Sequence, residues 1–246
     1  LTVWLPNDRL LRNEEDNMKK RTAKRALKWI GITIGVLLII IAAGAAVMFG
    51  PFVKAANSIE KLEDGLYAME FAGDYGFDDF LANGGAASDG EVAEYLVSFL
   101  SHGFYKADGN VTTGSFGCST IYTQDENGTY FFERNYDWAK CETMIVHTKP
   151  ENGYESVSTC CLDFLGFGDK YAPDGSMTER MQSIAAIYVP LDGMNAKGLV
   201  VADLTAGDDE ETYQRTGKVN LTPTTAIRLL LEKAAAEDEA VALQQH

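Results

Sequence analysis

Three residues of this chain have the types and spacing for chemistry. They are Cys118, Arg134 and Asp137, within Phe116-Gly117-Cys118-Ser-Thr-Ile-Tyr-Thr-Gln-Asp-Glu-Asn-Gly-Thr-Tyr-Phe-Phe-Glu-Arg134-Asn135-Tyr136-Asp137-Trp138. Ser119–Thr123 and Thr129–Arg134 are β-prone runs, and Asn127-Gly128 between them is a strong hairpin signal. A hairpin folds its ends together, so Cys118 arrives near Arg134 and Asp137. A thiol beside a cation and a carboxylate has the makings of an activated nucleophile. The spacing alone fits equally well a strand cysteine beside a surface ion pair.

The elements that must hold this hairpin are legible in outline. After it, Met144–Thr148, Tyr154–Leu162, Ile184–Val189 and Leu199–Leu204 read as strands, and Asp208 to Glu211 as a solvated loop. Thr222 caps a helix with Pro223 at its first position, whose apolar face is Ile227, Leu230, Leu231 and Ala234. A second helix begins near Glu237–Glu239. Before the hairpin, Ser58 to Tyr67 reads as a short helix or turn entering a strand, and Tyr67–Phe71 alternates as a strand does. Asp79–Leu81 and Glu91–Leu100 have helical spacing, the latter with Val92, Tyr95, Leu96 and Leu100 on one face and Ser88 or Asp89 as cap. Lys106–Ser115 is polar and Gly-rich, a loop composition. His102 beside it reads as a surface or packing residue.

A resemblance sharpens the first observation. Gly-Cys-Ser-Thr followed by Arg-Asn-Tyr-Asp-Trp resembles the N-terminal-nucleophile hydrolases that cleave linear amide C–N bonds, the choloylglycine hydrolase and penicillin V acylase family. In that family an N-terminal Cys is followed by an Arg sixteen and an Asp nineteen positions later, which here are Arg134 and Asp137. The second family motif appears as Asp192-Gly193-Met194-Asn195-Ala196-Lys197-Gly198-Leu199, and the resemblance makes Asn195 an oxyanion-hole residue. Read without the resemblance, Asn195 is an ordinary residue of a Gly-flanked turn. The resemblance covers Phe116 onward. It implies an α+β fold, the αββα four-layer sandwich, here in part. It also implies a linear amide hydrolase acting on small N-acylated molecules of the conjugated bile acid, penicillin V or N-acyl amino acid type.

The chemistry this would run is specific. Cutting Gly117–Cys118 frees an α-amine, whose ordinary pKa of about 7.7–8.0 suits a general base near neutral pH. The thiolate attacks an amide carbonyl, and water cleaves the acyl-enzyme. By resemblance Asp137 orients the α-amine and Arg134 sits beside the thiol, where a guanidinium favours a thiolate. The same thiol would cut the Gly117–Cys118 bond. Two other readings remain open: acyl transfer to an amine on the same fold, and a non-catalytic surface module.

Composition places this chemistry in a compartment. The formal charge is −15, which disfavours a general nucleic-acid binder, and 46% hydrophobic residues exclude wholesale disorder. Residues 1–28 sum to +4 and the remainder to −19, and no residue between Lys28 and Lys54 is charged. Residues 29–53 are long and apolar enough to span a bilayer, the alternative being a buried globular helix. The basic flank predicts a cytoplasmic N-terminus and an extracytoplasmic acidic bulk. The expected organisation is therefore a cytoplasmic segment 1–28, a transmembrane signal anchor 29–53, a leader 54–117 and the N-terminal part of the catalytic domain 118–246. Family members continue further and supply a second Asn and a late Arg, so an incomplete domain, inactive alone, is expected. Among Cys141, Cys160 and Cys161 nothing selects a disulfide, and their odd number favours free thiols. No metal-ligand spacing appears, His147 reads as a core or surface residue, and neither metal nor cofactor is expected. The expected partners are a small N-acylated amide and the membrane; a homo-oligomer is compatible with this sequence.

Overall fold

The computed structural model describes residues 8–100, 117–137, 141–165, 171–204 and 216–245. His102, the Lys106–Ser115 loop and Asp208 to Glu211 lie outside the described residues. The chain forms two compact units, Leu1–Gly50 and Pro51–His246.

The described residues of the first unit all belong to helix α1 (Asp8–Ser58), whose last residues are counted in the second unit. Its stretch Leu27–Ser58 has a mean hydropathy of 2.7 and is long and apolar enough to cross a membrane. Trp29 and the run Leu37 to Ile41 expose their side chains. The expected span 29–53 lies inside this helix, which extends beyond it at both ends.

The second unit is mixed α and β, as expected, with two separate sheets. One has six strands in the order β1-β2-β5-β6-β7-β8, and the other is the hairpin β3-β4. The strands are β1 (Glu60–Glu63), β2 (Leu66–Ala72), β3 (Gly117–Gln124), β4 (Tyr130–Asp137), β5 (Thr143–Lys149), β6 (Ser156–Cys161), β7 (Asp192–Asn195) and β8 (Val200–Ala202). Among the strands of the described residues, β2 and β5 pair in parallel and the other pairs are antiparallel. Parallel neighbours need a long crossover. Helices α2 (Phe77–Ala82) and α3 (Asp89–Leu100) and the hairpin all lie between them in sequence. Period-two alternation explains β2: Tyr67, Met69 and Phe71 are buried while Glu70 and Ala72 are exposed.

The hairpin forms where the dipeptide signal says. Gly128 takes a φ of 84°, a left-handed conformation that glycine adopts without Cβ strain. The Asp125 carboxylate accepts the backbone N–H groups of Thr129 (2.7 Å) and Asn127 (2.9 Å), which hold its carboxyl below the usual range.

One expected strand is a helix. Ile184–Val189 reads as a strand because it is continuously apolar, but Ile184–Tyr188 forms a 3-10 turn that follows α4 (Met177–Ser183) directly. All five residues are buried. A short run buried on every side shows no period to read, and the capping box of Ser176 and Glu179 has already started a helix upstream. Ser58 likewise ends a long helix instead of a short one.

Helix α5 (Pro223–Lys233) closes the core, capped by Thr222 with Pro223 at its start as its sequence predicts and also by Thr225, which the sequence reading did not name, and α6 (Glu237–Gln245) follows it. Ile227, Leu230, Leu231 and Ala234 are all buried. The helix also buries Arg228 and Glu232, which no apolar pattern foretells. The Arg228 guanidinium donates to the Ile187 carbonyl (2.7 Å) and to the hydroxyls of Thr148, Ser156 and Ser158 at 3.0–3.3 Å. Glu232 accepts from the Tyr75 hydroxyl.

Burial raises the Glu232 carboxyl above its ordinary value near 4.5, against the opposing pull of Arg228. Between the ordinary value and the raised one, the native state holds a proton that the unfolded chain has lost. Its contribution is therefore complete below about pH 4.5 and is lost as pH rises through the higher folded value. Glu232→Gln should remove this component. Urea titrations across pH should show wild type losing stability relative to the variant as pH rises; a constant difference would refute the assignment.

Candidate active site

Arg134 is the centre of the site. It lies on β4, directly opposite Thr120 of β3. Alternation puts Cys118, Thr120, Arg134 and Tyr136 on one face of the hairpin. The Arg134 side chain is only 5% exposed. Its Nη2 donates to Cys118 Sγ at 3.2 Å and to the Asp203 carbonyl at 2.9 Å, and its Nη1 donates to Asp192 Oδ2 at 3.1 Å. The guanidinium carbon also stands 4.9 Å from the Tyr136 ring centroid. Such a buried fork, held at several points, can present positive charge to the thiol without losing conformational freedom.

Asp192 is the anchor on the far side. Its other carboxylate oxygen accepts the Thr159 hydroxyl at 2.6 Å, so β6 orients β7 and β7 orients Arg134. The Asp203 carboxyl, by contrast, is raised by burial, an effect that Arg134 opposes. Sequence reasoning quoted Asp192 as the first residue of a motif and gave it no role, and it passed over Asp203 and Thr159. The charge match between Asp192 and the candidate cation Arg134 was the available signal.

Asp137 sits opposite Gly117 in the register and exposes its carboxylate, which accepts from Asn135 Nδ2 at 2.6 Å. It faces away from the Cys118 side chain, since neighbouring strand residues point to opposite faces. The backbone nitrogen of Cys118, where an α-amine would appear, lies between those faces.

The structure brings Cys118 and Arg134 together but turns Asn195 inward. The Asn195 side chain is buried and donates to the carbonyls of Leu231 (3.1 Å) and Ala234 (2.7 Å) at the end of α5. Its Oδ1 accepts from the backbone of Lys197 and Leu199, and its own backbone N–H donates to the Leu199 carbonyl. Every donor that an oxyanion contact would require is already engaged within the fold. Gly193 explains the closeness of this packing: a Cβ there would meet the Val157 carbonyl at 2.7 Å and Leu231 at 2.8 Å. Asn195→Ala should therefore cost about 1–3 kcal/mol in urea unfolding, because it orphans two buried helix-end carbonyls. An unchanged midpoint would count against this structural role.

The remaining cysteines are free thiols. Interaction with the neighbouring Cys161 lowers the Cys141 thiol, and interaction with Cys141 together with burial raises that of Cys161. Burial pushes Cys160 up to about 12. His147 lies on β5, where its Nε2 meets Glu155 at 2.6 Å.

Comparison with known families agrees with the motifs. A family model described as linear amide C-N hydrolases, choloylglycine hydrolase family, matches residues 118–246. Comparison with curated proteins and with solved structures gives no match. The matched region opens on Cys118, the residue whose sulfur Arg134 touches, and takes in just over half of the chain: the protein belongs to the choloylglycine hydrolase family of linear amide C–N hydrolases.

Proposed function

We propose that this chain carries the nucleophile of a membrane-anchored, extracytoplasmic hydrolase of small N-acylated amides, with Cys118 exposed as an N-terminal residue by cleavage of Gly117–Cys118. The observation that carries this reading is the contact of 3.2 Å from Arg134 to Cys118 Sγ, made by a guanidinium already fixed by Asp192 and the Asp203 carbonyl. A cation held there stabilises the thiolate through attack and again when the sulfur leaves the acyl-enzyme. The α-amine takes the thiol proton and returns it to the leaving amine. In this reading Asp137, whose backbone lies opposite Gly117 in the hairpin register, takes the role of orienting that amine. Asn195 enters as the residue that fastens the turn after β7 to α5.

The wider reading rests on other features. The uncharged stretch with its basic flank supports an anchor with the acidic bulk outside. The hairpin β3-β4, separate from the six-stranded sheet, supports a second sheet of the αββα sandwich. The substrate class is an acyl group in amide linkage to a small amine, amino acid or lactam, as in conjugated bile acids, phenoxyacetyl β-lactams and N-acyl amino acids.

N-terminal sequencing tests the nucleophile. The active protein, once purified, should yield a chain beginning at Cys118, and iodoacetamide should alkylate that residue with loss of amide hydrolysis. An uncut chain with full activity would overturn the proposal.

A further inference from the structure

Residues on either side of Gly117–Cys118 build one core. Strand β2, which precedes the junction, pairs with β5, which follows it, at every position from Leu66↔Thr143 to Ala72↔Lys149. It lies between β1 and β5, so it is no edge strand. Its Tyr67, Met69 and Phe71 are buried in the same cluster as Met144, Val146 and Ile187. Tyr188, from beyond the junction, packs against Tyr75, Phe77, Phe80 and Tyr95 from before it, and its hydroxyl donates to the Tyr75 carbonyl at 2.8 Å.

Polar contacts cross the same boundary. The Arg180 guanidinium donates to the carbonyls of Ala56 (3.1 Å) and Ile59 (3.0 Å), where helix α1 ends. A cation there satisfies carbonyls left open at a helix C-terminus and complements its dipole. Lys233 pairs with Asp78 at 2.7 Å, and Tyr75 donates to Glu232. Ala86 donates to the Asn220 carbonyl, while Asn220 donates to that of Gly84. A Cβ on Gly85 would meet the Asn220 carbonyl oxygen at 1.9 Å, so the two segments touch backbone to backbone.

We propose that the leader is a permanent subunit of the mature enzyme: after the cut, residues 51–100 stay bound to the part beginning at Cys118 and tether it to helix α1. The proposal rests on the cleavage reading above. Hydrolysis of Gly117–Cys118 consumes one water and leaves a carboxylate on Gly117 and an amine on Cys118. None of the contacts just described uses that peptide bond, so cleavage removes only the covalent link. Loss of the leader would strip β5 of a seven-residue neighbour and expose the aromatic cluster around Tyr188 to water. The catalytic part therefore does not leave the membrane when it matures.

The test separates retention from autocleavage. The chain is given a C-terminal tag and extracted in mild detergent, and its pieces are identified by N-terminal sequencing. A second chain carries Cys118→Ala and a site-specific protease sequence in place of Lys106–Ser115, so that it is cut whether or not the native junction is. In both, the tagged piece should co-elute with the leader one to one on size exclusion. It should also remain in the membrane pellet through a wash in about 1 M salt, where exposed ion pairs are screened. Arg180→Ala should speed separation of the cut pieces in urea by about tenfold, as expected for loss of a charged hydrogen bond. A tagged piece that elutes alone, or passes into the supernatant once cut, overturns the proposal. Should only the engineered cut occur, with the pieces held together, the autocleavage reading falls and the bound leader stands.

Discussion

Cys118→Ala should abolish amide hydrolysis by the active protein, a loss on the order of 10⁴-fold or more, and leave stability nearly unchanged. The asymmetry follows from what the thiol touches. Cys118 is half-buried and accepts from Arg134, whose guanidinium keeps Asp192 and the Asp203 carbonyl when the sulfur is gone. No buried charge loses its only partner. Arg134→Gln behaves differently. It leaves Asp192 facing a neutral amide within a largely buried pair, and truncating such a pair typically costs about 2–5 kcal/mol. It also removes the cation that touches the sulfur and would stabilise negative charge there during attack, so alkylation of Cys118 by iodoacetamide should slow. Hydrolysis, alkylation rate and urea midpoint, measured on both variants, form the test. Equal alkylation rates in wild type and Arg134→Gln would remove Arg134 from its role at the sulfur. Hydrolysis surviving in Cys118→Ala would remove Cys118 as nucleophile.

Arg228→Met should be the most destabilising single change outside the site, at about 3–5 kcal/mol. Arg228 is fully buried and connects one backbone carbonyl with hydroxyls on β5 and β6. Methionine fills a similar volume, so the cost arises from the groups left behind. Thr148 and Ser156 retain each other at 2.9 Å, whereas the Ile187 carbonyl loses the Arg228 Nε–H donor and Glu232 loses the favourable charge beside it. Because part of the cost is the stranded carboxylate, Arg228→Met with Glu232→Gln should recover a measurable fraction of it at neutral pH. Urea unfolding of both single variants and the double variant closes this cycle. Strict additivity would show that Arg228 and Glu232 do not interact.

These two predictions rest on parts of the molecule that were unequally legible. The proposed nucleophile could be named from Gly-Cys-Ser-Thr and from Arg134 at its distance along a hairpin, because a hairpin is a short-range object whose turn residues set its register. The caps of α5, its apolar face and the uncharged stretch inside α1 were legible for the same reason. Arg228 was not. It lies on the buried side of a helix whose pattern reads as amphipathic, and its partners lie 41 to 80 residues away in sequence. Pattern reasoning assigns an arginine to solvent unless something distant neutralises it.

By itself, then, the sequence determined the hairpin that brings Cys118 near Arg134, the apolar helix, the capped helix α5 and, through its motifs, the family. Each of these depends on residues close together in the chain. The tertiary structure alone decided that Asp192 and the Asp203 carbonyl clamp Arg134, and that Asn195 fastens α5. It alone decided that Ile184–Tyr188 coils instead of extending, and that β2, which precedes Gly117–Cys118 in the chain, lies inside the sheet beside β5. Those outcomes are set by which distant surfaces meet: burial and hydrogen-bond satisfaction act on neighbours in space, and a linear pattern does not specify them.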